Sequence, residues 1–334
     1  MQRRLFVASP MLLAGTLNGD GWAGLMGETA PPLVRVAATA FGTTVAISAP
    51  APEGAAEDMR QALHLALQEV QRIDALLSLF RHDSQLSQLN RTGRLDGAHP
   101  HLLRNLEFAL ELGVLTAGAF DITVQPLWEL FAQAQALGRL PGREDIAQTR
   151  RHVDFRAVRI DGDRVLIEQS GARVTLNSLA QGYAVDVVLD LLRRQGVPAA
   201  LIDTGEIGNL GRRERARPWA VGVQHPRDRE ACIALVGMDG RVLSTSGDYA
   251  TRFTEDFRYH HIFDPASGVS PPEFASTIAF AQSGLVADGI STALMVLDRN
   301  AGEALLAAFP GSDALWIDKQ AQLVATRGVP FLDS

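Results

Sequence analysis

The sequence predicts an α+β protein with hairpin-linked sheets and flanking helices. Three observations carry that reading. Short apolar and β-branched runs, such as "VRVAATA", "AALID" and "DALWID", come in clusters. Amphipathic runs with three- and four-residue steps lie between the clusters rather than after every strand. Turn signals such as Asp161-Gly162 join neighbouring strands directly. This is an α+β pattern, not a regular strand–helix alternation.

The first residues, "MQRRLFVASPMLLAGTLNGDGWAG", read as a signal peptide over 1–23. Arg3 and Arg4 form its charged head, Leu5 to Leu17 is an apolar stretch too short to span a bilayer comfortably, and Gly21-Trp22-Ala23 offers small residues for cleavage. The arginine pair before Leu5 and Phe6 is similar to a twin-arginine signal; an ordinary secretory signal is the alternative. Both place the mature protein in the periplasm. Residues 24–33, with glycines and Pro31-Pro32, form a tether, and 34–334 form the folded domain.

"VRVAATAFGTTVAISA" is two strand pieces broken at Phe41-Gly42-Thr43. From Ala55 to Leu79 the apolar residues Met59, Leu63, Leu67, Val70, Ile73 and Leu77 mark one helix face. A second amphipathic helix covers 102–115, and "AQALGRLPGRED" after Trp128 reads as a surface excursion. "AVRIDGDRVLIEQ" is a hairpin, and Tyr183 to Gln195 is a helix stopped by Gly196. Strands follow at "AALID", "WAVGVQ", "CIALVG", "RVLSTS", "YHHIFD" and "STIAFAQ". Helices come at "LVADGISTALMVLD" and 301–308, and strands at "DALWID" and "LVATR" close the chain.

The 334 residues are 46% hydrophobic and 21% charged, enough to build a sizeable core. The net charge of −7, with no basic block, argues against nucleic acid as a partner. Cys232 is the single cysteine, so no internal disulfide forms, and its apolar setting predicts a small buried hydrophobe. Beyond the signal, no apolar run approaches transmembrane length.

Several polar stretches interrupt this frame. "SLFRHDSQLSQLN" follows the long helix and reads as a capped loop. "AGAFDITVQPL" sets Asp121 and Thr123 beside Phe120, as in an Asp-capped turn or a polar site. "LNSLAQGYAVD" joins a strand end to a helix start, where backbone groups can hold phosphate or metal. "STSGDYATRF" puts hydroxyls around Gly247, for a phosphate or merely a turn. In "YHHIFDPASG" two adjacent histidines on a strand would face opposite ways. In "LVADGISTALMVLD", Asp288 and Thr292 share a helix face. The residues alone leave a helix cap before Gly289 and a ligand pair equally open.

In this order and spacing, these stretches resemble the ApbE family, the FAD:protein FMN transferases, from about Thr39 to the C-terminus. Ser78, Ser84 and Asn90 match the family's Ser…Ser…Asn, and Gly118 to Leu127 matches its Gly-Ala-Phe-Asp-x-Thr-x-x-Pro-Leu. Gly182 to Asp186, Thr245 to Tyr249, His261 to Gly268 and Ala287 to Ala293 match four further family motifs. The chain departs from the pattern at Phe41, Phe80, Gln181 and Thr204-Gly205-Glu206, in part as the NosX branch does.

The resemblance implies transfer of the FMN half of FAD to a threonine hydroxyl of an acceptor protein, releasing AMP. It implies magnesium (Mg2+) held by Asp288, Thr292 and the Ser178 carbonyl, with His261 as the base. It implies a flavin-nucleotide site lined by Phe41, Phe80, Ala119, Phe120, Asp121, Gln181, Glu206 and Ile262. The acceptors would be redox proteins of the periplasm or membrane, and the likeness to the NosX branch would place them in nitrous oxide reduction. A metal-dependent FAD pyrophosphatase, or a non-catalytic FAD-binding protein, are the alternatives.

Overall fold

Eight strands build the main sheet, in the order β1 (Leu33–Ala40), β2 (Thr43–Pro50), β6 (Ala200–Asp203), β7 (Ile207–Leu210), β10 (Val242–Gly247), β11 (Phe274–Ala281), β12 (Asp313–Asp318) and β13 (Leu323–Ala325). Every neighbouring pair is antiparallel. The molecule is seen here as a computed structural model that describes residues 32–52, 54–214 and 217–332. The expected signal peptide and nearly all of the tether lie outside the described residues. Leu33, assigned to the tether, instead opens β1.

The sheet is covered on both faces. Helices α1 (Ala56–Leu77), α6 (Ala180–Arg194) and α7 (Gly284–Val296) pack on one face, and their apolar stripes form the larger core. The α1 stripe buries Leu63, Leu67, Val70, Ile73 and Leu77, as its periodicity predicts. On the other face lies a two-stranded ribbon, β8 (Ala220–His225) and β9 (Asp228–Gly237). It sets Trp219, Val221, Val223 and Val236 against Leu243, Ile278, Phe280 and Leu315 of the sheet. All eight residues of β11 are buried, which accounts for a strand that is apolar except at Ser276 and Thr277 rather than alternating. A smaller sheet joins β3 (Arg94–Leu95), β5 (Arg164–Ile167) and β4 (Val158–Asp161), including the expected hairpin.

Several expectations change. The supposed loop after α1 holds helix α2 (Gln85–Thr92), whose Ser84 cap accepts from the Ser87 N–H at 3.0 Å. After α3 (Pro100–Leu115), the stretch around Trp128 is helix α4 (Gln125–Ala136), and the polar excursion holds α5 (Arg143–Arg150). The α5 stretch has no buried residue, so no apolar periodicity announced it. The glycine-rich "IGNL" is strand β7. "YHHIFD" forms no strand; only isolated bridges, Arg252 to His260 and Asp264 to Val269, pin it. Cys232 is exposed rather than buried, because it sits on the solvent side of the β9 ribbon.

Candidate active site

Helices α6 and α7 start side by side at one end of the sheet, and the site grows from that junction. The α7 helix begins at Gly284, with Ser283 as its cap, one turn before Asp288. Asp288 therefore does not cap its own helix. Its Oδ2 accepts the Gly182 N–H of α6 at 3.0 Å, and its Oδ1 faces the Ser244 hydroxyl at 3.4 Å. Gly182 is the third residue of α6, where backbone donors lack intrahelical partners. Only glycine fits there, since a Cβ would lie 2.1 Å from the Gly284 carbonyl oxygen. Ser178, just before α6, lines the same cleft.

A run of hydroxyls links Asp288 to Thr292. Ser244 Oγ lies 3.1 Å from Ser291 Oγ, which lies 2.9 Å from Ser246 Oγ, which lies 3.1 Å from Thr292 Oγ1. Ser244 and Ser246 are two apart on β10 and so share one face of the strand. Glu206 closes the far side, its Oε2 accepting the Thr245 N–H at 3.0 Å. Burial pushes the Asp288 carboxyl up to about 7, against the hydrogen bonds from Gly182 and Ser244. Burial, and then the Asp288 charge, push Glu206 well above the usual carboxylate range.

These groups suit a hard cation. Among the described residues no cationic side chain pairs with either buried carboxylate, so a bound cation would favour the charged forms that burial disfavours. No three His, Cys, Asp or Glu of the described residues group into a metal centre. The set is instead carboxylate, hydroxyl and carbonyl oxygen, few in number, which leaves room for water and phosphate.

His261 stands on another wall of the same cleft. Its backbone N–H donates to the Thr251 carbonyl at 3.0 Å, and its Nδ1 lies 3.2 Å from that oxygen. An Nδ1–H donating there leaves the Nε2 lone pair free. Burial lowers its pKa, against the Thr251 carbonyl and the Asp248 charge, so the ring is neutral at neutral pH. His260 is fully buried outside the cleft, donating its backbone N–H to Ser270 Oγ at 2.8 Å. The two histidines diverge through a bend rather than through strand pleating. Helix α4 holds that bend: the Phe131 ring lies 5.3 Å from Phe253 and 5.1 Å from Phe263, centroid to centroid.

The remaining expected residues line the same cleft: Phe41, Phe80, Ala119, Phe120, Asp121, Gln181, Glu206 and Ile262. Phe80 is 60% exposed, at the rim. Phe41 sits in the two-residue turn between β1 and β2 with φ 53°, a left-handed conformation unusual for an aromatic residue. Asp74 Oδ1 holds it by accepting its N–H at 2.9 Å. Asp121 faces inward as well. Its oxygens accept from Thr123 N–H at 2.7 Å, Thr123 Oγ1 at 2.5 Å and Phe155 N–H at 2.9 Å, an Asx turn that presents Ala119 and Phe120. The Gln181 amide donates to the Thr204 carbonyl, tying the Thr204-Gly205-Glu206 loop to α6.

A model of the ApbE family matches residues 41–316. This chain belongs to the ApbE family. Several relatives bear the name FAD:protein FMN transferase. The one from Vibrio cholerae is 28% identical over 312 residues, 90% of this chain and 89% of its own. The one from Treponema pallidum is 30% identical over 295 residues, 80% of this chain and 81% of its own. The crystal structure of the ApbE protein of Thermotoga maritima superposes with a TM-score of 0.79 at 25% identity, covering 89% of this chain and 97% of that one. The apo flavinyl transferase ApbE of Pseudomonas stutzeri gives 0.73 at 31% identity, covering 90% and 96%.

The ApbE cleft also contains residues that sequence reasoning did not single out. Trp128 and Gln125 come from α4, which was not expected as a helix. Thr251 orients His261, and Ser291, fully buried behind the cleft wall, bridges Ser244 to Ser246. Ser244 and Ser246 carried a signal, in the hydroxyls flagged around Gly247. Ser291 carried none, since a serine inside an apolar helix has no local mark of its partners.

Proposed function

We propose that this protein transfers the FMN moiety of FAD to a threonine hydroxyl of an acceptor protein and releases AMP. One observation supports this most directly: His261, with Nδ1 against the Thr251 carbonyl, lines the same cleft as Asp288, Thr292 and Ser178. Those three would hold magnesium through a carboxylate, a hydroxyl and a backbone carbonyl. When bound, the cation would neutralise pyrophosphate charge and assist departure of AMP. The aromatic walls, Phe41, Phe80 and Phe120, would hold the flavin nucleotide, with Gln181 and Ile262 nearby.

His261 Nε2 takes the proton of the acceptor threonine as its oxygen bonds to the FMN phosphorus. The bond from that phosphorus to the bridging oxygen breaks, and AMP leaves with the oxygen. Positioning and charge neutralisation supply most of the rate in such a transfer. Acceptors would be periplasmic or membrane-attached redox proteins, and the protein would itself be exported.

The test is incubation with FAD, magnesium and a candidate acceptor, followed by intact mass of the acceptor. A mass gain of one FMN with matching AMP supports the proposal. Equal release of FMN and AMP with no acceptor present, and none attached when it is added, replaces it with hydrolysis. FAD binding without turnover leaves only a binding protein.

A further inference from the structure

The α6–α7 junction holds a second aspartate for which the proposed chemistry has no use. Asp186 follows Gly182 by four residues, as Asp288 follows Gly284. Each helix thus carries Gly-x-x-x-Asp, with both residues on one face. The two glycines press together: a Cβ on Gly182 would lie 2.1 Å from the Gly284 oxygen, and one on Gly284 would lie 2.2 Å from the Gly182 oxygen.

At that contact each aspartate reaches across to the start of the other helix. Asp288 Oδ2 accepts the Gly182 N–H at 3.0 Å. In return, Asp186 Oδ1 accepts the Gly284 N–H at 2.5 Å, and its Oδ2 accepts Ser283 Oγ at 2.6 Å and Leu285 N–H at 3.0 Å. The amides concerned are those a helix leaves unpaired at its positive end. The exchange is uneven. Asp186 commits both oxygens to α7 and does not line the cleft, whereas Asp288 commits one to α6 and lines it.

We propose that Asp186 is a positioning residue for the cation site: it clamps the start of α7 to α6 and so sets the distance from the Ser178 carbonyl to Asp288 and Thr292. The inference rests on the assignment of those three oxygens to a cation. The oxygens come from two separate chain segments, Ser178 just ahead of α6 and the other two on α7. Magnesium demands near-ideal octahedral geometry, so a small slide of one helix on the other disturbs the site without removing a ligand. The glycine contact sets how closely the helices approach. The three bonds to Asp186 set where α7 sits along α6. An amide in its place offers one acceptor oxygen to three donors and turns its NH2 against one of them.

The test is binding of Mn2+ to the purified protein without FAD, followed by electron paramagnetic resonance, beside thermal melting and FAD binding in EDTA. Asp186→Asn should raise the Mn2+ Kd by ~10–100-fold, the range for residues that orient metal ligands from behind. FAD binding in EDTA should stay within about twofold, and saturating metal should restore most of kcat. Ser283→Ala, which removes one donor to Asp186 and the cap of α7 but no charge, should raise the Kd by a smaller factor, and it serves if Asp186→Asn fails to fold. A lower melting temperature with an unchanged Mn2+ Kd, in whichever of the two folds, overturns the role of Asp186 alone. No Mn2+ binding by the unaltered protein overturns the cation assignment, and this proposal with it.

Discussion

Single residues separate the roles inside the cleft. Asp288→Asn keeps an oxygen for the Gly182 N–H and removes the charge, so the fold survives while the cation loses its carboxylate. Magnesium should raise the melting temperature of the unaltered protein and not that of the variant, and FMN transfer by the variant should be lost. A variant that transfers FMN at the normal rate would return Asp288 to a purely structural part. His261→Ala should lower transfer by ~10²–10⁴-fold, the usual worth of a general base, while FAD binding persists. His260→Ala should keep most of its transfer rate, because its ring lies outside the cleft. Equal small losses in the two would leave the threonine without an assigned base. His260 has its own pH signature. Burial, and then the neighbouring His261, lower its pKa to about 3. The unfolded chain takes up that proton near pH ~6.5. The neutral buried ring is therefore compatible with full stability above that value, and stability is lost as pH falls toward 3. Melting curves across this window should flatten in His260→Phe and keep their slope in His261→Phe at the low-pH end if His260 is the dominant group.

At the scale of elements, α4 governs the base from a distance. Phe131 is fully buried and touches Phe253, Tyr259 and Phe263, the residues that anchor the bend carrying His261. Gln135 adds a bond from Nε2 to the Arg252 carbonyl at 3.1 Å. Phe131→Ala should cost ~3–5 kcal/mol of stability through the cavity it leaves. It should also lower kcat for FMN transfer while Mn2+ binding stays normal, because α6, α7 and β10 do not depend on that cluster. Metal binding and transfer, measured at a temperature where the variant is folded, separate the two effects. Parallel losses in both would show that the cluster supports the whole domain rather than the bend.

At the scale of the whole molecule, export and folding meet. No helix among the described residues is long and apolar enough to cross a membrane. The twin-arginine reading rests on Arg3 and Arg4 followed by Leu5 and Phe6. Replacing both with lysine should leave the protein in the cytoplasm with its signal attached, whereas the unaltered protein should be recovered from the periplasm beginning near Gly24. Fractionation with N-terminal mass spectrometry reads both outcomes. Unchanged export of the lysine variant would select the ordinary secretory route.

The sequence by itself determined the α+β class, the long helices and the residues that gather in the cleft. Periodicity reports burial over one or two turns, which is why α1 and most of α6 were legible. Ordered motifs identified His261, Asp288 and Thr292 without any geometry. Tertiary structure decided what each of them touches. Helix α5 is short and mostly polar, with Ile146 its one large apolar residue, packed against the Phe131 cluster, so its neighbours rather than a periodic stripe make it a helix. "YHHIFD" looks like a strand but has no continuous partner, and the Phe131 cluster bends it instead. Asp288 was legible as a cap or a ligand, yet the helix whose donor it accepts begins about a hundred residues earlier in the chain. Local pattern encodes how much of a side chain is buried. Which distant backbone amide, hydroxyl or carboxylate it meets is set by the sheet order and by the closeness that Gly182 and Gly284 allow.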